Sequence, residues 1–347
     1  MLKPARGAGA GPVWALGVAA DGQGARAAML LTDGVRILEF GETAQIAYPA
    51  EAQAAIDAAR GRWPDAPEQD QAARHVEAAA AALAARFPEA QAIGFQGPAL
   101  AHDPGGRRSF AGDGARIASR LGRSVTWDFH SADQDLGGAG APMAAFFHAA
   151  LGKWLGAEAP IALVSLGDMT SLTWIDPRQP TPETPGACLA FETGPGPGSG
   201  GFPGETPDMA LVGTLLGGGF FTRMPPKTLA TSDLARIETA LGALAPPDAA
   251  ATRVALAIAA TARGLTHCPT RPGRLLIAGG GAQSAAFARS LAAETGLDTQ
   301  PLDSGGAGLE AQAMAYLAIR TARGLPTSCP ATTGVAAAVG GGTISTP

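Results

Sequence analysis

Short apolar runs separated by glycine-containing turns follow one another between residues 14 and 40. Residues 14–18 and 27–31 are apolar and flank the segment 21–24, Asp-Gly-Gln-Gly. This pattern is typical of two strands joined by a tight hairpin. Residues 35–40, after Asp33-Gly34, give a third strand. The chain is therefore predicted to open as an antiparallel meander.

Longer segments rich in Ala, Glu and Arg predict helices, because these residues have favourable helix propensity. Helices are predicted at residues 51–60, 69–86, 113–120 (with Asp113 as the N-cap), 143–155, 233–244, 249–265, 284–295 and 309–323. Further strands are predicted at 92–95, 124–129, 161–166, 171–175, 187–191 and 274–278. The Gly/Pro-rich residues 196–228 are predicted to be irregular. Three strands followed by alternating strands and helices occur twice, which predicts an α/β protein of two similar halves.

The composition excludes several classes of protein. Of 347 residues, 46% are hydrophobic and 16% charged, which is not the balance of a disordered chain. A net charge of −5 and an aromatic content of 5% argue against a nucleic-acid partner. The sequence has no apolar run long enough to span a membrane and no secretory signal, so we expect a cytoplasmic protein without a membrane partner. Cys188, Cys268 and Cys329 form no CxxC pair and are predicted to be buried free thiols.

Three local patterns could carry chemistry. Glu192 follows a predicted strand and precedes a Gly/Pro turn, so it is either a general base at a strand end or an ordinary surface or capping acid. Gly279-Gly280-Gly281 lies between a strand and a helix, and either contacts a nucleotide or forms a simple tight turn. The acids and His130 within residues 128–135 could bind a metal or form a solvated loop. Their spacing is not diagnostic, and no residue is assigned as a metal ligand.

Taken in order, these segments resemble the anhydro-N-acetylmuramic acid kinase family, which are sugar kinases of the ASKHA superfamily. Residues 128–148 resemble the family's DFRxxDxxxGGQGAPLxPxFH without a gap. Residues 192–196 resemble its DTGPGN, 225–228 its PPKS/T, 278–281 its (C/A)GGG, 310–318 its EAxAFAxLA, and 323–334 its GxP…TGA. The resemblance implies a two-domain, actin-like and ribonuclease H-like α/β fold with an interdomain cleft. It places one domain at residues 1–127 plus about 309–347, and the other at 128–308.

The resemblance also implies an activity. Family members use ATP and Mg²⁺ to open the ring of 1,6-anhydro-N-acetylmuramic acid and phosphorylate its O6, in cell-wall recycling. The implied partners are the sugar and ATP, and the implied assembly is a homodimer. Carried over position by position, the catalytic base is Glu192. The substrate-binding residues are Gln96, Asp128, His130 and Asp133, and the nucleotide-binding residues are Asp21, Gly22, Gly194, Gly196, Gly279, Gly280 and Gly281.

The departures from the family pattern lie at the positions that handle phosphate and sugar. Glu192 replaces the catalytic Asp, and His130 replaces the Arg of DFR. Residues 96–99, Gln-Gly-Pro-Ala, replace HGQT, and residues 19–26 replace the phosphate loop MSGTSLDGVD without its Ser and Thr hydroxyls. Three interpretations stay open: an active, divergent sugar kinase; a pseudokinase that binds a ligand or protein; and an enzyme with different chemistry in the same cleft.

Overall fold

The computed structural model describes residues 11–103, 107–198, 206–279, 284–302 and 308–347. The strands are β1 (Val13–Ala20), β2 (Gly24–Thr32), β3 (Ile37–Ala47), β4 (Ala92–Gln96), β5 (Ala99–His102), β6 (Arg108–Phe110), β7 (Val125–Trp127), β8 (Ile161–Leu166), β9 (Met169–Ile175), β10 (Cys188–Pro195), β11 (Arg274–Gly279), β12 (Asp298–Pro301) and β13 (Thr343–Ser345). The helices are α1 (Ala50–Ala59), α2 (Pro67–Ala84), α3 (Gly114–Leu121), α4 (Ser131–Asp135), α5 (Ala145–Trp154), α6 (Met209–Leu216), α7 (Gly219–Thr222), α8 (Thr231–Leu241), α9 (Pro246–Gly264), α10 (Ser284–Thr295), α11 (Leu309–Ala322) and α12 (Pro330–Thr333). A 3-10 turn, Leu265–His267, follows α9.

Two mixed sheets share one strand order, apart from the additional edge strand β13 in the first. The first runs β13-β7-β4-β1-β2-β3 and the second β10-β9-β8-β11-β12. In each sheet an antiparallel meander (β1–β3 or β8–β10) is extended by parallel strands beside its first strand, β4 and β7 in one case and β11 and β12 in the other. The predicted α/β class, with the same arrangement occurring twice, is confirmed.

Helix α11 rests directly on the backbone of the first sheet. Gly17 of β1 and Gly94 of β4 are register partners. A Cβ atom on Gly17 would lie 1.6 Å from the carbonyl oxygen of Ala311, and one on Gly94 would lie 2.1 Å from that of Met314. Only glycine at both positions therefore allows the helix to approach this closely.

Several elements differ from the sequence prediction. The predicted irregular stretch 196–228 contains α6 and α7, and α6 begins because the Asp208 carboxylate accepts a hydrogen bond from Leu211 N (2.9 Å). Strand β3 continues to residue 47, beyond the predicted end at 40. The hairpin β5–β6 and the strands β12 and β13 were not predicted, because runs of three or four residues show little periodicity.

Other predictions agree with the structure. The Asp113 carboxylate caps α3 by accepting a hydrogen bond from Ala115 N (2.7 Å). None of the described helices is long and apolar enough to cross a membrane. The boundaries of the two domains stay a prediction.

Candidate active site

The predicted base Glu192 is a buried carboxylate held from two sides. It lies near the end of β10 and is 4% exposed. Arg108 Nη2 donates to its Oε1 (2.8 Å), and the backbone N–H of Leu229 donates to its Oε2 (2.7 Å). Since the side chain is inside the protein, the interpretation of Glu192 as a surface acid is wrong.

The segment 227–231 connects Glu192 to the hairpin β5–β6. Glu192 N donates to the Lys227 carbonyl (3.0 Å), and His102 Nδ1 lies 2.7 Å from the Leu229 carbonyl oxygen. His102 N also donates to Thr231 Oγ1 (2.8 Å). The hairpin is thus docked on the same segment that pairs with Glu192, which fixes where Arg108 can reach.

Lys227 is a buried ammonium in this segment. Its Nζ donates to the carbonyls of Phe220 and Phe221 at 3.3 and 3.4 Å. Burial lowers its pKa to about 8, and Arg263 and Arg223 add to the effect. These contacts tie the segment to α7.

A cavity of about 210 Å³ collects most of the predicted substrate-binding residues. Gln96, Asp128 and His130 line it together with Arg108. A larger cavity, of about 420 Å³, has none of the predicted site residues in its lining. The smaller cavity is therefore the candidate sugar site.

His130 is a neutral histidine on the wall of this cavity. Its Nε2 lies 3.1 Å from Asp128 Oδ1. Burial lowers the pKa of His130 to about 4; the Asp128 carboxylate opposes this shift and Arg108 adds to it. The Nδ1 atom is buried and has no hydrogen-bond partner within the described part of the chain.

Asp133 does not line the cavity, and its carboxylate instead accepts hydrogen bonds from neighbouring segments of the chain. The residue is fully buried, and its carboxylate accepts hydrogen bonds from Gly140 N (2.8 Å), Ser328 Oγ (2.6 Å) and Thr333 Oγ1 (2.5 Å). The interpretation of residues 128–135 as a solvated loop is wrong for this residue. Across the described ranges, no group of three or more His, Cys, Asp or Glu side chains is placed to hold a metal.

The predicted nucleotide glycines converge on the turn between β8 and β9. Gly196 N donates to the Asp168 carbonyl (2.8 Å), and a Cβ on Gly196 would lie 1.8 Å from the Gly167 carbonyl oxygen. Gly279 has a positive φ of 75°, and its Cβ would lie 2.4 Å from the Leu166 carbonyl oxygen. Gly194 differs, because a Cβ there would meet Phe221 at 3.2 Å. Gly280 and Gly281 lie outside the described residues.

The turn between β1 and β2 is closed by Asp21. Its Oδ1 accepts hydrogen bonds from Gln23 N (2.7 Å) and Gly24 N (3.0 Å), and its Oδ2 pairs with Arg26 Nη1 (2.6 Å). Gly22 lies against Arg60, whose Nη2 would be 2.8 Å from an added Cβ.

Arg60 and Glu310 lie between the two turns. Arg60 Nη1 pairs with Asp168 Oδ2 at 3.3 Å. Glu310 is an exposed residue, but neighbouring protein atoms remove part of the water around its carboxyl group. This desolvation raises the pKa of its carboxyl; Asp21 and Asp168 add to the shift and Arg26 opposes it.

Comparison with known proteins identifies the family. The family model described as "Anhydro-N-acetylmuramic acid kinase" matches residues 68–198 and 207–347. The chain belongs to the anhydro-N-acetylmuramic acid kinase family. It is 47% identical to the protein of that name from Cereibacter sphaeroides, over 97% of each chain. It is 42% identical to "Anhydro-N-acetylmuramic acid kinase 1" of Jannaschia sp., over 97% of this chain and 96% of the relative.

Solved structures of sugar kinases are more distant. The chain is 15% identical to an inorganic polyphosphate/ATP-glucomannokinase from Arthrobacter sp. strain KM, over 88% of this chain and 98% of that one, with a TM-score of 0.41. For a ROK family glucokinase from Streptomyces griseus the identity is 16%, the coverage 88% and 99%, and the TM-score 0.40. Membership of the kinase family, with its ASKHA-like fold, rests on the sequence matches and agrees with the repeated strand order.

Some residues of this kinase-family site were missed in the sequence. Arg108 gave no signal, because its partner Glu192 is 84 residues away. Glu310 lies in the segment that resembles the EAxAFAxLA motif, but the motif did not indicate a role for it. Asp168 was predicted only to lie in a turn between two strands. The roles of all predicted site residues stay a prediction.

Two of the three cysteines lie near each other in the structure, which their spacing in the sequence did not indicate. Cys188 and Cys329 are both buried, and their thiols lie close enough to influence each other. This interaction raises the pKa of Cys188 and lowers that of Cys329 to about 7. Cys268 is half-buried, and all three are free thiols.

Proposed function

We propose that the chain phosphorylates 1,6-anhydro-N-acetylmuramic acid at O6 with ATP and opens its anhydro ring. The observation that carries this proposal is the position of Glu192. Its carboxylate is buried, and its partner Arg108 lines the cavity that contains Gln96, Asp128 and His130. The names of the relatives supply the identity of the substrate.

Glu192 would act as the general base. Each of its oxygens accepts one hydrogen bond from the protein, which leaves a lone pair on each for a water molecule. Glu192 takes a proton from this water as the water oxygen bonds to the anomeric carbon. The bond from that carbon to O6 breaks, and O6 bonds to the γ-phosphorus of ATP as the bond from this phosphorus to the β–γ bridging oxygen breaks and ADP leaves. Arg108 and Leu229 N hold the carboxylate in one orientation, which matters because a displacement of about 1 Å can cost about 100-fold in rate.

ATP would lie at the two hairpin turns. The turn at residues 166–168, packed by Gly196 and Gly279, offers backbone to a phosphate chain. Mg²⁺ bound to ATP needs only one or two protein carboxylates, and Asp168, with a side chain 56% exposed, is the more available one. The oxygens of Asp21 are occupied by Gln23 N, Gly24 N and Arg26. When bound, the ion would neutralise charge on the phosphates. The homodimer and the cytoplasmic location stay predictions.

A pseudokinase is the second candidate, and the Glu192–Arg108 ion pair favours it. The pair is almost fully buried, with side-chain exposures of 5% and 8%, so the carboxylate is engaged before any substrate arrives. The turn at residues 21–24 also lacks the Ser and Thr hydroxyls of the family's phosphate loop.

Phosphorus NMR of the protein with Mg-ATP and the anhydro sugar tests the first candidate against the second. We expect a 6-phosphate product from the wild type, and a rate about 100- to 10,000-fold lower for Glu192→Gln. The exposed Glu158 provides the matched control Glu158→Gln, which should keep the wild-type rate.

No product from a folded wild type, beside an active relative, would contradict the kinase proposal. Thermal unfolding with Mg-ATP then identifies the pseudokinase. Nucleotide at 100 times its Kd adds about 2.7 kcal/mol to the free energy of unfolding even when no transfer follows.

A further inference from the structure

Arg108 is the only cation among the described residues that line the candidate sugar cavity. Its side chain is 8% exposed. Nη2 donates to Glu192 Oε1 at 2.8 Å, and Nε points to the Ala139 carbonyl at 3.3 Å. Within the described part of the chain Nη1 has no hydrogen-bond partner, and it is not among the buried unpartnered atoms. A guanidinium carries five N–H donors in a fixed fork, so donors remain available on the cavity side.

His130 cannot supply a cation at the position where the family pattern has an arginine. The imidazole is neutral at pH 7, because its pKa is lowered to about 4. A carboxylate accepts hydrogen bonds only, so the Nε2 atom beside Asp128 carries the ring's single proton. The remaining nitrogen, Nδ1, is then an acceptor and would repel an anionic group. Any anion in this cavity must therefore be held by another side chain.

The position of Arg108 in the fold is suited to binding an anion in this cavity. It lies on β6, whose partner strand β5 is fixed to segment 227–231 through His102. The guanidinium consequently bridges the cavity and the predicted base. A ligand anion on its free edge would be placed in a defined relation to Glu192, since forked Arg–carboxylate contacts fix orientation as well as affinity.

We propose that Arg108 binds the carboxylate of the sugar substrate, and that the substrate-recognising positive charge of this site has moved from position 130 to position 108. The inference rests on the proposed function for the identity of the sugar, which carries a carboxylate as a muramic acid. Arg108 thereby selects acidic over neutral anhydro sugars and aligns the bound sugar with Glu192.

Calorimetric binding of two ligands tests this without relying on turnover. The ligands are 1,6-anhydro-N-acetylmuramic acid and its neutral carboxamide. We expect the wild type to bind the acid about 10- to 100-fold more tightly, the range of a charge-assisted hydrogen bond. Equal affinity for acid and amide would overturn the proposal while leaving the kinase function standing.

Arg108→Gln should lose affinity for the acid and keep most of its affinity for the amide. The double variant Arg108→Gln with His130→Arg, which returns the charge to position 130, should regain the preference for the acid. Equal losses for both ligands would show that Arg108 only positions Glu192. If the Gln variant does not fold, Arg108→Lys keeps a charge beside Glu192 but loses the guanidinium fork, and it should weaken binding of the acid more than binding of the amide.

The proposed substrate and this inference can fail separately. If the anhydro sugar does not bind, the same measurement is made with N-acetylmuramic acid and glucuronic acid. Binding of either that depends on Arg108 would remove the proposed substrate and keep the inference. No binding of any of the three acids would overturn the inference.

Discussion

The turn between β1 and β2 and the turn between β8 and β9 occupy the same place in the two sheets, but different contacts hold them. In the first, a single side chain makes the stabilising contacts. Asp21 accepts hydrogen bonds from Gln23 N and Gly24 N and pairs with Arg26, all within five residues. The second is held by Gly196 and Gly279, whose backbones pack closely against carbonyl groups of the turn. The first turn is encoded locally, and the second depends on chain that arrives from two other strands.

Gly196→Ala should have the largest effect, because the added Cβ would collide with backbone atoms of the second turn. A Cβ 1.8 Å from the Gly167 carbonyl oxygen forces β10 or the turn to move. We expect the free energy of unfolding, measured with urea, to fall by about 2–3 kcal/mol. Gly213→Ala on α6 is the matched control. No atom lies within 4 Å of its Cβ, and it should stabilise by up to about 1 kcal/mol. Similar results for both variants would refute the close-packing account.

Asp21→Ala should have a smaller effect, because it removes a local cap from a partly exposed turn. We expect a loss of about 1 kcal/mol in the same urea experiment. Asp21→Asn retains an acceptor oxygen for the two backbone N–H groups and should lose less. If Asp21→Ala cost as much as Gly196→Ala, the contrast between a local and a non-local turn would be wrong.

The Arg60–Asp168 pair should have the smallest effect, although it links the two turns. Its side chains are 42% and 56% exposed and the N–O distance is 3.3 Å. A double-mutant cycle with Arg60→Met and Asp168→Asn should give a coupling of less than about 1 kcal/mol, weaker at high salt. A coupling that is larger and independent of salt would mean that the two turns act as one unit.

The same distinction explains what could be predicted from the sequence. The meander strands, apart from the far end of β3, and the Asp113 cap were predicted correctly, because each depends on neighbours within a few residues. Gln96, Asp128 and His130 were assigned to one site through the order of family motifs, and they do line one cavity. The hairpin β5–β6 was missed because its strands are four and three residues long. The contact of Arg108 with Glu192 spans 84 residues, a distance over which periodicity carries no information.

The buried carboxylate of Asp133 has a consequence for the order in which the protein can be completed during synthesis. Two of its three donors, on Ser328 and Thr333, lie 195 and 200 residues further along the chain. The third, Gly140 N, belongs to the loop whose Ala139 carbonyl receives Arg108. A nascent chain leaves the ribosome from its N-terminus, so the two hydroxyl donors reach Asp133 only when nearly all of the protein has emerged. In a chain that stops before residue 328, the Asp133 carboxylate would keep only one of its three hydrogen-bond donors, and the loop that contacts Arg108 would lack this support.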